Sequence, residues 1–215
     1  MTRPQASASR PDWVAYARRL AVFTVAFNVL EGLVSMGFGW AGGSLSLFGF
    51  GADSFIEVGS ALLILWRLRN DAPGQPGRER AAAKGVGWML LALGLGTAAG
   101  ALLQLAGRHH PETTLPGLLV SVLSIGFMIF LWSEKARAGK ALASGAVLAD
   151  AACSLACVQL SAVLFAGSLA YLLVPGLWWA DAGAALALSG CFGKEGLATL
   201  RAAGKPGFEG GCGCH

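Results

Sequence analysis

Charged residues are scarce in this chain. Asp, Glu, Lys and Arg together account for 13% of its 215 residues, whereas hydrophobic residues account for 55%. A soluble domain usually carries about twice that share of charge. Because one membrane crossing takes about 20 residues, a chain of this length is nearly used up by a few spanning helices. The composition therefore predicts an integral membrane protein.

The cysteine spacing, the N-terminus and the distribution of basic residues each exclude a class of protein. The five cysteines lack the spacing typical of a secreted disulfide scaffold. A polar N-terminus leads directly into a full-length apolar segment, so we expect no cleaved signal peptide. The net charge is +4, but the basic residues fall in short segments between apolar runs. That distribution is typical of membrane orientation, and we reject nucleic acid as a partner.

Six apolar segments predict an all-α membrane protein with six transmembrane helices. They cover residues 20–40, 47–66, 86–106, 115–132, 145 to between 169 and 173, and 178 to about 200. We expect three parts in the chain. They are a cytoplasmic N-terminal segment at residues 1–19, a six-helix transmembrane domain at 20–201, and a flexible cytoplasmic tail at 202–215.

Lys and Arg are concentrated in the segments predicted for one side of the membrane. That side has the N-terminus, the loop after the second span, the tail, and the loop after the fourth span with Lys135, Arg137 and Lys140. The three loops of the opposite side contain only Arg108. The positive-inside rule then places both termini in the cytoplasm. We expect a multi-pass protein of the lipid bilayer, in a bacterial inner membrane.

Two acidic residues, Asp53 and Glu57, lie inside the second predicted span. Four residues advance a helix by about one turn, so both carboxylates share a face. A carboxylate at the centre of a membrane helix costs roughly 3 kcal/mol on insertion scales and by default marks a functional site. Snorkelling to water is one alternative. Pairing with an intramembrane base is another, which we reject because the middle of each predicted span lacks Lys and Arg.

Two cysteines, Cys153 and Cys157, repeat the four-residue spacing inside the fifth predicted span. Cysteine is a good small core residue, and alone the pair would be read as packing. Asp150 extends them into a stripe at i, i+3 and i+7 on one helix face. An acid and two thiols on one face suit a soft or borderline divalent cation such as zinc or cadmium. Asp53 and Glu57 could supply the remaining ligands.

Further polar residues are weaker candidates. Asn28 and Glu31, three apart in the first span, are read as a proton relay or as an interhelical hydrogen-bond pair. His109 and His110 lie in an outer loop, where solvation is favoured over an external release site. The glycine-rich tail ends with a possible metal-capture group: Cys212, Cys214 and His215.

Long segments of the chain resemble the cation diffusion facilitator family of heavy-metal transporters. The first hairpin of that family, with its acidic motif, resembles NVLEGLVSMGFGWAGGSLSLFGFGADSFIEVGSALLILW. Its fifth helix resembles LADAACSLACVQLSAVL, and its sixth resembles GLWWADAGAALALSGCFGKEGLATLRAA. The resemblance extends from the first span to Arg201. It agrees with six spans and with both termini inside.

The resemblance implies that two residues of helix two and two of helix five bind the ion. By position these are Asp53, Glu57, Cys153 and Cys157. It also implies proton antiport and a homodimer. Helix five of that family usually offers His and Asp where the two cysteines stand here, and this favours a softer ion than zinc alone. The family's usual cytoplasmic C-terminal domain is missing, so we expect the transmembrane domain only.

These observations predict a transporter that exports a divalent heavy-metal cation (zinc, cadmium, cobalt or a softer ion) in exchange for protons. Its partners would be the metal and protons, and we expect neither a prosthetic group nor an enzymatic activity. Two alternatives stay open. One is a membrane thiol oxidoreductase that uses Cys153 and Cys157, although their spacing differs from CxxC. The other is a membrane metal sensor that does not transport.

Overall fold

A computed structural model describes residues 10–42, 45–69, 76–107, 115–174 and 179–205. Within these ranges the chain forms six α-helices and no strand. The helices are α1 (Arg10–Gly42), α2 (Leu45–Leu68), α3 (Pro76–Ala106), α4 (Leu115–Leu142), α5 (Gly145–Leu173) and α6 (Ala180–Gly204).

The helices are apolar enough to lie in a bilayer. Four of them contain described segments of the length and hydropathy needed to cross a membrane: Asp12–Ala41, Phe48–Leu68, Gly77–Ala106 and Gly145–Val163. Large apolar side chains cover the outside of the bundle, and each of the following is more than 60% exposed: Leu30, Trp40, Trp88, Leu95 and Leu173. Such a surface is unfavourable in water but not beside lipid tails. The predicted all-α membrane fold with six helices is confirmed.

Three helix boundaries differ by ten residues from the predicted spans, and one of them is the start of α3 at Pro76, which the sequence placed at residue 86. Helix α1 begins at Arg10, ten residues before the predicted span. Helix α4 continues ten residues beyond Trp132 and ends at Leu142. Only Ala143 and Ser144 separate it from α5, and Ala143 has a left-handed φ of 48°. The basic residues predicted for a loop after the fourth span therefore stand on a helix.

Close helix packing depends on glycine at two interfaces. Helix α1 packs mainly on α2, α3 on α6, and α4 on α5. A Cβ added at Gly39 of α1 would lie 2.5 Å from the backbone nitrogen of Phe48, and one at Gly51 would lie 2.8 Å from the carbonyl oxygen of Gly32. A Cβ added at Gly196 of α6 would lie 2.9 Å from the carbonyl oxygen of Gly87. Small residues let backbones approach in this way without a hydrophobic driving force between helices.

A buried carboxylate joins three helices at the end of the bundle where α2 ends and α3 and α5 begin. Glu79 accepts hydrogen bonds from Arg67 Nε of α2, from Ser144 Oγ at 2.7 Å and from the backbone nitrogen of Ala146 at 2.8 Å. Ser144 Oγ also accepts a hydrogen bond from the backbone nitrogen of Val147 at 3.3 Å, as a helix cap does. These contacts fix the start of α5 relative to α2 and α3.

Helices α2 and α5 also contact each other in the interior. Their buried polar side chains recur at helical spacing, which places them on one face of each helix: Ser54, Glu57 and Ser60 on α2, and Asp150, Ser154 and Ser161 on α5. The interior between these two helices is therefore polar, whereas the outside of the bundle is apolar.

Candidate functional site

Glu57 lies on α2 with its side chain fully buried against α5 and α4. Ser154 Oγ of α5 donates a hydrogen bond to Glu57 Oε1. Lys135 Nζ of α4 lies 3.2 Å from the same oxygen. The other oxygen, Oε2, has no hydrogen-bond partner among the described residues. Glu57 therefore has one fully engaged oxygen and one that lacks a hydrogen-bond partner among the described residues.

Asp150 is the second carboxylate of this cluster. Ser60 Oγ of α2 donates to Asp150 Oδ1 at 2.6 Å, and Lys135 Nζ lies 3.0 Å from Oδ2. The side chain of Asp150 is almost completely buried. The predicted accessory ligand is thus held by a serine and a lysine. We call Glu57, Ser60, Lys135, Asp150 and Ser154 the Lys135 cluster.

Lys135 corrects the sequence interpretation that no base accompanies the acids. Its side chain is 2% exposed, and its ammonium also donates to Ser154 Oγ at 2.9 Å. An ammonium has three N–H donors, and each finds one oxygen here, on Glu57, Asp150 and Ser154. The interpretation was wrong because it ended the fourth helix at Trp132, whereas α4 continues to Leu142. A lysine near the end of an apolar helix can extend its four-carbon stem along the protein interior.

The Lys135 cluster carries more negative than positive charge. Two carboxylates and one ammonium leave a formal charge of −1 in a place that solvent does not reach. An uncompensated buried charge is strongly unfavourable. The excess negative charge therefore favours either a further proton or a divalent cation in place of the ammonium.

Both predicted cysteine ligands border this cluster. Cys153 and Cys157 are buried free thiols on the face of α5 that meets α2. Ser60 lies beside Cys153, and Glu57 lies beside Cys157. The stripe formed by positions 150, 153 and 157 thus faces the acidic residue of α2. Thiol and carboxylate side chains meet here without an intervening apolar layer.

Asp53 lies one turn from Glu57 but faces a different space. It is half-buried and lines a cavity of about 90 Å³, enough for several water molecules. The same cavity is lined by Thr97 and Gln104 of α3 and by Leu160 of α5. The Thr97 hydroxyl is buried and has no hydrogen-bond partner within the described ranges. The cavity therefore places water-sized space beside a carboxylate and a spare hydroxyl.

The four predicted transport ligands are neighbours but do not converge on one point. The part of the chain that the structure describes contains no group of three His, Cys, Asp or Glu side chains close enough to share a metal ion. Glu57 lies beside Cys157, Cys153 lies one turn earlier on α5, and Asp53 lines the adjoining cavity.

The candidates on α1 lie beside the α2 residues. Glu31 Oε2 accepts a hydrogen bond from Ser54 Oγ at 2.9 Å, while Asn28 Nδ2 donates to the Thr24 carbonyl within its own helix at 3.0 Å. Asn28 Oδ1 and Glu31 Oε1 are buried and lack a hydrogen-bond partner among the residues described. Glu31 therefore makes an interhelical hydrogen bond to α2, whereas the Asn28 bond stays within α1. His109, His110, Cys212, Cys214 and His215 lie outside the described residues.

Three members of the cluster were not predicted as site residues: Ser60, Ser154 and Lys135, which was assigned to a cytoplasmic loop. The two serines could have been found, because Ser60 follows Glu57 by three residues and Ser154 follows Asp150 by four, on the same helix faces. The signal for Lys135 was weaker. The segment SEKARAGKAL lacks proline and can continue a helix. Its low hydropathy, however, predicts that it lies outside the membrane-spanning part of the chain.

A family comparison identifies the class of protein. A family model for the cation efflux transmembrane domain matches residues 79–205, more than half of the chain. The chain belongs to this family. It is a multi-pass membrane protein and a cation efflux transporter. A search of curated proteins found no match. The family match contains Lys135, Asp150 and both buried cysteines, whereas Asp53 and Glu57 precede it.

The charge balance of the cluster predicts the stability of variants. Replacing Lys135 with Met leaves two buried carboxylates without a cation, and we expect a loss of about 3 kcal/mol in stability. Adding Asp150→Asn removes one of those charges and should restore part of the loss. Thermal unfolding of the purified protein in detergent measures both effects.

Lys140→Met is the matched control, since Lys140 is an exposed residue of the same helix. Equal unfolding temperatures for Lys135→Met and Lys140→Met would contradict the buried ion pairing. A double variant that is less stable than Lys135→Met alone would also contradict it.

Proposed function

We propose that this cation efflux transporter exports a divalent heavy-metal ion from the cytoplasm in exchange for protons. The observation that carries the proposal is the contact of the buried Glu57 of α2 with Cys157 of α5, one turn from the buried Cys153. An intramembrane carboxylate by default marks a substrate or ion pathway. Thiolates beside it extend the preference to soft and borderline metals.

The proposed ligands are Glu57, Cys153, Cys157 and Asp53. The first three lie at the interface of α2 and α5, and Asp53 lies one turn before Glu57 on α2. Binding of one ion by all four would require α2 and α5 to rearrange, because the described residues contain no group of three such side chains close enough to share a metal. Two sulfur and two oxygen ligands suit zinc, and cadmium has a greater preference for sulfur. We therefore propose cadmium and zinc as the first substrates to examine.

Exchange with protons follows from the chemistry of these ligands. Thiols and carboxylic acids bind metal only after losing a proton, so metal and protons compete for the same atoms. A carrier that binds either one, and opens alternately to the two sides, couples their movements. The polar interface between α2 and α5, and the cavity at Asp53 beyond it, would form the two ends of the path. Homodimerisation and a capture role for the tail group remain proposals from the sequence.

The oxidoreductase alternative is disfavoured by helix geometry. Side chains four apart on a helix have Cβ atoms about 5–6 Å apart. A disulfide needs a Cβ separation of about 3.5–4.5 Å. Cys153 and Cys157 lie on one unbroken helix, α5, and are free thiols. A redox cycle between them would require α5 to distort at each turnover.

Transport itself is measured in liposomes that contain the purified protein. We expect cadmium and zinc uptake, accompanied by proton movement in the opposite direction. Glu57→Ala should abolish both fluxes because it removes the central carboxylate, and Asp53→Ala should abolish metal-dependent proton movement. Glu195→Ala, at an exposed position of α6, is the control and should transport like the unaltered protein.

Two outcomes would contradict this proposal. A protein that moves none of a panel of divalent ions, with or without a pH gradient, is not such a carrier. Undiminished flux in Glu57→Ala would remove the central carboxylate from the site.

Ion choice is predicted to depend on the thiols. Cys157→Asp replaces a soft ligand with a hard one beside Glu57, and we expect the ratio of cadmium to zinc transport to fall by about tenfold or more. Competition between the two ions in the liposome assay measures this ratio. Cys191→Ser alters an exposed thiol and is the control. An unchanged ratio in Cys157→Asp would exclude Cys157 as a ligand.

A further inference from the structure

The ammonium of Lys135 contacts both buried carboxylates of the Lys135 cluster. Its Nζ lies 3.2 Å from Glu57 Oε1 and 3.0 Å from Asp150 Oδ2. It also holds Ser154, whose hydroxyl donates to the same oxygen of Glu57. Lys135 is thus a cation of the protein itself, bound to the carboxylate that the proposed function assigns to the metal.

A divalent ion and this ammonium exclude one another. Two positive groups bound to one carboxylate lie within a few ångströms of each other, in an interior where charges are poorly screened. The repulsion on a divalent ion is twice that on a monovalent one at the same distance. Metal binding at Glu57 therefore requires that the ammonium move away.

Asp150 offers the lysine a second place to bind. Its Oδ2 lies 3.0 Å from Nζ, and Ser60 donates a hydrogen bond to its other oxygen. The lysine stem is long and unbranched, so a small rotation moves the ammonium towards Asp150 without unpairing it. A displaced Lys135 would remain compensated, and Glu57 would be released.

We propose that Lys135 is a tethered competitor of the transported cation. It yields Glu57 to the metal by retreating to Asp150, and its return helps to expel the metal. This inference rests on the proposed function and adds a positioning role for Lys135 and Asp150. It assigns Asp150 as the anchor of the lysine and not as a metal ligand. Lys135 lowers metal affinity and speeds metal release.

The arrangement has a feature that simple structural pairing does not require. One carboxylate would neutralise one buried lysine, whereas here two carboxylates hold it. The second carboxylate makes the lysine exchangeable between partners. The excess negative charge also favours the arrival of a cation with a higher charge than the lysine.

The test measures cadmium affinity of the purified protein by competition with a coloured chelator. For Lys135→Met we expect binding at least tenfold tighter than in the unaltered protein. In liposomes the same variant should show a lower KM and a lower kcat for cadmium. Lys135→Arg keeps the charge, and its cadmium affinity should stay closer to that of the unaltered protein. Lys140→Met, at an exposed position of the same helix, should have the same cadmium affinity as the unaltered protein.

A second variant keeps the test decisive if Lys135→Met folds poorly. Lys135→Met combined with Asp150→Asn retains one carboxylate and no ammonium, and so has the formal charge of the native cluster. We expect it to bind cadmium at least tenfold more tightly than Asp150→Asn alone. Binding as weak as in Asp150→Asn would overturn the proposal.

The remaining outcomes separate this inference from the proposed function. If the unaltered protein transports cadmium but Lys135→Met binds it no more tightly, the competitor role fails and the transporter proposal stands. Lower kcat at unchanged affinity would likewise overturn the competitor role, because a purely structural lysine gives that pattern. If the unaltered protein neither binds nor moves cadmium or zinc, the proposed function itself fails.

Discussion

The contact of Lys135 with Glu57 and Asp150 connects the three helices on which the interior depends. Carboxylates in the middle of an apolar bundle need a partner, and this ammonium supplies one to α2 and to α5 from α4. Without it, the polar faces of α2 and α5 would carry two like charges towards each other. The same contact leaves one negative charge in excess. Stability and cation affinity therefore arise from one set of atoms.

The helix pairs packed through glycine differ from the polar contact between α2 and α5. Helices α1 and α2, and helices α3 and α6, approach closely through glycine, so these pairs behave as tightly packed units. The contact between α2 and α5 is polar and includes hydroxyl groups that can exchange hydrogen-bond partners. Movement between units is thus more easily accommodated at the α2–α5 interface than inside the glycine-packed pairs. A carrier that opens alternately to two sides needs an interface of this kind.

Much of the fold was predictable because each apolar segment is long and separated from the next by polar residues. The stripes on α2 and α5 were predictable for a related reason, since i, i+3 and i+4 spacing defines a helix face regardless of what covers it. The burial of Lys135 beside the two carboxylates was not predictable from hydropathy, because hydropathy shows where a helix becomes polar and not where the helix ends. The orientation of Asp53 towards α3 was also beyond reach. Asp53 and Glu57 share a face by spacing, but their different neighbours depend on how α3 and α4 pack around α2.

The central claim is that a transported metal binds sulfur from α5 together with oxygen from α2. X-ray absorption spectroscopy of zinc bound to the purified protein tests it most directly. The measurement uses a variant in which Cys191, Cys212 and Cys214 are replaced by Ser, so that Cys153 and Cys157 are the only thiols of the chain. The account predicts two sulfur ligands at about 2.3 Å and oxygen ligands at about 2.0–2.2 Å. A shell of oxygen and nitrogen alone would contradict it.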